Sequence, residues 1–456
     1  MTLSLLLALG SCRTDRNPAD GTQTDPNPDT EQTAAPESGE PETQTSYILV
    51  RSADAGIAER TLVRKLGNEL AGVCKQLETR ADDRLDGVTG TLILVGDTAR
   101  QESRVTFRNS GSYTVRRVGG NLVIQGADEL ALDYACAAFA AYVRENGMQF
   151  PEGYCYDGQV GAGEDRCVLV ADQKNGTVSV YDLSEGFVQD TPSWSVRAAY
   201  SAIAGIKVRE NPKYGTVVAV CSGTSARSTG TLELFSYPDG QRVWRTDLTA
   251  YNPHSVEVSP DGKIAVAASS EGNEVRFFDT ADASGQTYAA VTFTDAHGVL
   301  YDPAQTCYWV IGGSRLAAYR AEFGADGAIA VSQVPGSSYS LPTDGAHDLQ
   351  AVAGTNRLWI TTGKAVYQFD PATGEFLTTY QDSAVFNRAN VKGISSFPDG
   401  TVCEVIPDGK LSAWTASTVR CSYQLPFSGG TLNRTLDLPE DVHIYKIRAF
   451  VTDYRY

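Results

Sequence analysis

The sequence predicts a mainly β chain: a six-bladed β-propeller, with seven blades as the alternative count, preceded by a small α/β domain. Three observations carry that prediction. Residues 47–158 alternate between strand-like apolar runs and apolar residues at three- and four-residue spacing. From Cys167 onward the chain becomes short β runs separated by turn residues, with no sustained helical period. Those runs recur at intervals of roughly 40 to 50 residues, the repeat length of propeller blades.

The chain opens on a short apolar run, Leu3 to Leu9, closed by Leu9-Gly10-Ser11-Cys12. The run is too short to span a bilayer and fits the core of a signal peptide. Its ending resembles the bacterial lipobox, which implies removal of residues 1–11, lipid on Cys12, and a mature protein anchored in the cell envelope, at the outer-membrane surface or periplasmic face. Residues 13–46 hold eight Asp or Glu, five Pro and only two Arg, with no Val, Ile, Leu, Met or aromatic residue. Such a segment cannot bury a core, so residues 12–46 are expected to form a disordered acidic tether. The formal charge of −17, without a cluster of Lys and Arg, excludes nucleic acid as a partner.

In the small domain, Tyr47–Val50 reads as a strand. Val63, Leu66, Leu70, Val73 and Leu77 form one apolar helix face, and Thr91–Val95 is a second strand. Tyr113–Val115 and Asn121–Ile124 make a hairpin around Gly119-Gly120, and Leu130–Val143 is a second helix ended by Asn146-Gly147. The stretches "LVGDTAR" (Leu94–Arg100), "NLVIQGAD" (Asn121–Asp128) and "YACAAFAAYVRENG" (Tyr134–Gly147) resemble the accessory domain that precedes the catalytic barrel of α-glucuronidases and β-hexosaminidases. In those enzymes the domain carries no catalytic residue, and here no barrel follows. The resemblance implies carbohydrate context rather than carbohydrate chemistry.

The propeller is expected over residues 165–456. Its units begin with "AGIKVRENPKYGTVVAVCSG" (Ala204), "NPHSVEVSPDGKIAVAAS" (Asn252), "DAHGVLYDPAQTCYWVIGG" (Asp295), "GAHDLQAVAGTNRLWITTG" (Gly345) and "NVKGISSFPDGTVCEVI" (Asn390). A sixth unit, Val168–Leu183, lacks an inner strand before it. "HIYKIRAF" (His443–Phe450) is placed to supply one and close the ring. The "HSVE", "AHGVL" and "HDL" starts resemble a family of uncharacterised bacterial six-bladed propeller proteins, a resemblance that brings no activity with it.

The chain has four histidines, and His254, His297 and His347 occupy one repeat position, immediately before an inner strand. Inner strands of a propeller line the central channel and run the same way, so these residues gather at one mouth. Three imidazoles there suit a divalent metal. Lys392 is the equivalent residue of the following unit, Asp348 is placed to orient an imidazole, and Lys207 and Arg209 would add positive charge. The layout resembles that of propeller-fold polysaccharide lyases, which implies a metal-held uronate with Lys392 or Lys207 for the carboxylate or proton. Three readings stay open: a metal site, a contact for a glycan or small molecule, and histidines that only brace neighbouring turns. At the level of the whole protein these correspond to a metal-dependent polysaccharide lyase or hydrolase, a carbohydrate-binding or sensing protein, and a protein-interaction scaffold.

The remaining motifs are structural in expectation. The Pro260-Asp261-Gly262 and Pro398-Asp399-Gly400 stretches are hairpin turns, and Trp194, Trp244, Trp309, Trp359 and Trp414 fall in blade strands as packing residues. "GTSARSTG" (Gly223–Gly230) has no Lys and no following helix, so it is not a phosphate loop. Eight cysteines besides Cys12 are expected to be mostly buried thiols, with Cys155 and Cys167 the first pair to test for a disulfide.

Overall fold

The structure, a computed structural model, describes residues 46–107, 111–160, 167–183, 192–224, 226, 228–268 and 272–454. The expected signal segment, Cys12 and the tether as far as residue 45 lie outside the described residues.

Strands β1 (Tyr47–Arg51), β2 (Leu77–Ala81), β3 (Thr91–Val95), β4 (Ser112–Val118), β5 (Asn121–Gly126) and β6 (Cys155–Gln159) form one sheet in the order β2-β1-β3-β5-β4-β6. Pairing is parallel from β2 to β5 and antiparallel from β5 to β6. Helices α1 (Ile57–Leu70) and α2 (Glu129–Asn146) cover one face, where Leu62, Leu66 and Phe139 pack on Leu49, Ile93 and Ile124. The opposite face buries Ile48, Val50, Leu92, Leu94 and Val123 under Leu85 and Val88. Helix α2 begins where Asp128 accepts from the Ala131 N–H (2.9 Å) and ends at Gly147, whose φ of 62° needs no Cβ to be accommodated.

One expected element is corrected. Val73 and Leu77 do not continue the apolar face of α1. The N–H groups of Val73 and Cys74 both turn back to the Leu70 carbonyl, and Leu77 opens β2 by pairing with Tyr47. The mostly polar β2 is an edge strand, with little alternation to announce it.

The rest of the chain is a propeller. Among the described residues it comprises six four-stranded antiparallel sheets. Their inner strands are Ala202–Asn211 (blade 1), Pro253–Val258 (blade 2), Ala296–Asp302 (blade 3), Asp348–Ala351 (blade 4), Gly393–Ser396 (blade 5) and Ile444–Ala449 (blade 6). Each neighbours the next around the ring, and the last neighbours the first. Blade 6 closes as expected from its two ends: Ile444–Ala449 pairs antiparallel with Cys167–Asp172, with Ile444 opposite Asp172 and Ala449 opposite Val168. Alternating strand faces fill the spaces between blades, as where Trp309, Ile311 and Leu349 meet between blades 3 and 4.

The small domain is docked on the propeller. Asp133 of α2, fully buried, accepts from the backbone N–H groups of Phe427 (2.7 Å) and Ser428 (2.9 Å) in blade 5, and Lys65 lies over the Phe427 ring. One continuous apolar cluster runs from Leu49 and Phe139 to Val170, Phe427 and Ile447.

Candidate functional site

The inner strands open in a way that builds a ring of side chains. In four blades a β-bulge interrupts pairing, which jumps from Ile203 to Gly205, Pro253 to Ser255, Ala296 to Gly298 and Ile444 to Lys446. The residues left between are Ala204, His254, His297 and Tyr445. His347 and Lys392 hold the same place in blades 4 and 5, donating their N–H groups to Thr361 O (2.8 Å) and Val405 O (2.9 Å) just before the strand proper. A bulge re-aims a side chain, and here it does so at one mouth in blade after blade. Asp295, Gly345 and Asn390, each two residues earlier, have φ of 52°, 72° and 61°, the left-handed turn that sets up the strand start.

The three imidazoles are brought together. The His254 and His297 ring centres lie 4.3 Å apart and those of His297 and His347 5.6 Å. His254 Nδ1 bonds the Asn252 carbonyl (3.0 Å) and His297 Nδ1 the Asp295 carbonyl (2.9 Å). A carbonyl only accepts, so Nδ1 carries a proton on both rings, and His297 Nδ1 also lies 3.3 Å from the Asp295 carboxylate. His347 receives Lys392 Nζ on Nε2 at 2.7 Å. Burial and the Lys392 charge push the His347 pKa down to about 3, so the ring is neutral, and burial pushes Lys392 down to about 8. Lys392 thus sits on the nitrogen that a metal would need. Among the described residues no group of three or more His, Cys, Asp or Glu is arranged to hold a metal ion.

The chain belongs to a family of unknown function (DUF6528), whose signature matches residues 169–418. That interval contains His254, His297, His347 and Lys392 and stops short of the closing strand. No curated protein matches the chain. Among solved structures it is similar to a functionally unknown protein from Desulfotomaculum acetoxidans DSM 771, at 13% identity and a TM-score of 0.41, covering 62% of this chain and 84% of that one. The β-propeller domain of Cps50 (Swd1) from Myceliophteria thermophila matches at 12% identity and a TM-score of 0.37, over 61% and 88% of the two chains. Dihydro-heme d1 dehydrogenase NirN in complex with DHE matches at 12% identity and a TM-score of 0.37, over 67% and 65%.

Three expected site residues lie elsewhere than the mouth. Asp348 is fully buried and does not orient an imidazole. It takes a two-pronged contact from Arg448 (2.7 and 2.9 Å), one from Lys446 Nζ (3.1 Å) and one from the Ile394 N–H (2.9 Å). Burial pushes its carboxyl up, but Arg448 and Lys446 outweigh that and hold it below its ordinary range. Lys207 and Arg209 are three and five residues in from the bulge and buried within the channel. There Glu257 binds both, at 3.3 Å from Lys207 Nζ and 2.9 Å from Arg209 Nε, and Gln350 accepts from Lys207 (2.6 Å). Burial lowers the Lys207 pKa further than Glu257 can restore it.

Two features were missed by the sequence reading. Tyr445 completes the ring of bulge residues, 6.5 Å from His254 between ring centres. At the other end of the channel the chain terminus forms a plug: Arg209 lies over the Tyr454 ring (4.4 Å) and bonds the Val451 and Asp453 carbonyls, while Tyr454 donates to Val258 O. The buried core between holds four cations, Lys207, Arg209, Lys446 and Arg448, against the two carboxylates Glu257 and Asp348 that pair with them. The only signal for either feature was the basic, aromatic character of "HIYKIRAF" and the tail behind it.

Proposed function

We propose that this protein is a binding or sensing propeller of the cell envelope, lipid-anchored through Cys12, whose channel mouth takes the carboxylate of an acidic, carbohydrate-related ligand. One observation carries the reading. Lys392 is half-buried at the mouth, its partner is the neutral His347, and among the described residues no carboxylate pairs with it. The deeper cations already have Glu257 or Asp348. An ammonium desolvated enough to lower its pKa, above a channel with more cations than anions, gains most from an incoming anion. The imidazoles of His254 and His297, beside Lys392 and His347 on the ring, are polar groups of the kind that meet the hydroxyl groups of a sugar. The carbohydrate part of the reading is supported by the small domain's resemblance to a glycosidase accessory domain.

A second reading, an enzyme acting on the same ligand, is favoured by the same lysine, since a pKa near 8 suits a proton acceptor. The metal-dependent form of that enzyme requires displacing Lys392 from His347. Calorimetry of the purified protein with oligogalacturonates and with neutral oligosaccharides of equal length tests the binding reading, with product analysis of the same mixtures. Preferential binding of the acidic series without turnover supports it; turnover moves the site to the enzyme reading; equal affinity for both series removes the carboxylate from the site. Labelling of cells with a fatty-acid analogue, lost in Cys12→Ala, tests the anchor.

A further inference from the structure

In each blade the second strand runs back toward the mouth, so the link to the third strand lies on the mouth face. In five blades the third strand begins three to six residues after the second ends: Asp172 to Thr177, Gly223 to Thr229, Ala268 to Glu274, Gly312 to Arg315 and Thr361 to Val366. In blade 5 the link spans residues 406–417. The ends of this longer loop are fixed beside two mouth residues. It leaves from Val405, the acceptor of the Lys392 N–H, and returns through Ala416, which exchanges two backbone hydrogen bonds of 2.9 Å with Ile444, the neighbour of Tyr445. Within it Asp408 accepts from the N–H groups of Lys410 (3.0 Å) and Ser417 (2.7 Å) and from the Ser417 hydroxyl (2.5 Å). It is a compact, internally bonded surface loop whose ends lie close together.

The loop presents Trp414. Contrary to the sequence expectation, Trp414 is not in a blade strand, and 43% of it is exposed, whereas Trp194, Trp244, Trp309 and Trp359 are buried. Its indole N–H donates to Gln173 Oε1 (2.9 Å), and Gln173 is itself tied to the His443 carbonyl (2.8 Å). An indole held by its N–H on an ordered loop is pre-positioned, and a tryptophan this exposed presents apolar ring surface to solvent at the mouth face. We propose that Trp414 is the platform on which a pyranose ring of the acidic glycan stacks while its carboxylate meets Lys392, so that loop 406–417 selects for sugar over other carboxylates. This rests on the mouth reading above.

The test follows tryptophan fluorescence and affinity of the full-length protein, of Trp414→Ala and Trp414→Tyr, and of Lys392→Gln, with three probes: tetragalacturonate, a neutral tetrasaccharide and glutarate. The expected result is that tetragalacturonate shifts the emission of the parent. Trp414→Ala then weakens it about tenfold or more, Trp414→Tyr retains most affinity, and glutarate binds parent and Trp414→Ala alike. Unchanged tetragalacturonate affinity in Trp414→Ala overturns the platform and leaves the mouth reading standing. A neutral tetrasaccharide bound by the parent and by Lys392→Gln but lost in Trp414→Ala keeps the platform and removes the carboxylate reading. No saccharide bound by the parent overturns both.

A different observation carries a second inference. Cys403 and Cys421 are directly opposite on the two strands that form the stem of this loop, both buried, with their Sγ atoms in contact at 2.6 Å. Directly opposed residues of an antiparallel pair have the Cα separation a disulfide needs. We infer that these two thiols join as a disulfide when the chain folds in an oxidising compartment, before burial closes them off. The two thiols lose two protons and two electrons, and the disulfide of a thiol oxidant takes them up to become two thiols. Refolding the full-length chain with oxidised glutathione, then denaturing and alkylating it without reductant, reads the result. A linked Cys403–Cys421 peptide 2 Da below the sum of the free peptides is expected. Alkylation of both cysteines after that refolding overturns it.

Discussion

Lys392 Nζ lies 2.7 Å from Nε2 of His347, and the two hold consecutive places in the ring of strand-start residues on adjacent blades. Each blade contributes one side chain at a fixed level, so neighbouring positions meet without any long-range design in the sequence. The pair joins an ammonium of lowered pKa to an imidazole that stays neutral.

Carboxylate binding at the mouth therefore depends on pH in one direction. An anion binds protonated Lys392, so affinity is level below pH 7 and falls as pH rises through about 8, by about tenfold per pH unit well above that value. Calorimetry with tetragalacturonate between pH 6 and 10 measures it. Lys392→Arg, which keeps its charge, should flatten the alkaline fall.

His347 sets an acid limit on stability. Its folded pKa, about 3, lies below the ordinary 6.5, so between those values the unfolded chain binds the extra proton. The folded state then loses stability as pH falls from 6.5 toward 3, by about 2 kcal/mol at pH 5 from this group alone. Urea unfolding at pH 7 and pH 5 should show a smaller difference between the two pH values for His347→Gln than for the parent. An equal difference would assign the acid sensitivity to other groups.

How much of this could be read from the sequence depended on whether the determinant was local. The inner-strand starts of blades 2 to 5 were legible because His254, His297, His347 or Lys392 stands just before each, and "HIYKIRAF" was legible as a closing strand because the Val168–Leu183 unit lacked one. The level of a residue within the channel was not. A bulge adds one residue to the strand, and the partner that buries Lys207 and Arg209 is Glu257 on the next blade, with no sequence signal linking them. Asp348 was misplaced for the same reason: its partners, Lys446 and Arg448, arrive from nearly a hundred residues downstream. Trp414 was read as strand, whereas the chain leaves its second strand at Val405 and does not start the next until Thr418, a loop length that no local residue pattern announced.

Asp348 should be the most sensitive polar residue of the channel. Asp348→Asn keeps the shape but leaves Arg448 and Lys446, both buried, without the carboxylate that pairs with them. An uncompensated buried charge of this kind destabilises by about 3–5 kcal/mol. Lys392→Gln, at the half-buried mouth, should change stability by less than about 1 kcal/mol. Chemical denaturation of the two variants side by side checks the contrast, and equal midpoints would mean that the Asp348 cluster contributes no more than the mouth.

The closing strand makes the ring depend on its last residues. Ile444–Ala449 is the inner strand of blade 6, and without it Cys167–Asp172 becomes an exposed edge whose Val168, Leu169 and Val170 are otherwise buried. A chain truncated after Val442 should therefore aggregate or expose apolar surface, binding a hydrophobic dye strongly. One truncated after Val451 keeps the strand and loses only the Asp453 and Tyr454 contacts with Arg209 and Val258, so it should stay folded with a modestly lower melting temperature. Adding a peptide of residues 443–454 to the shorter chain should restore it by strand addition. A soluble, dye-negative chain ending at Val442 would show that the ring is held by blade-to-blade packing without its final strand.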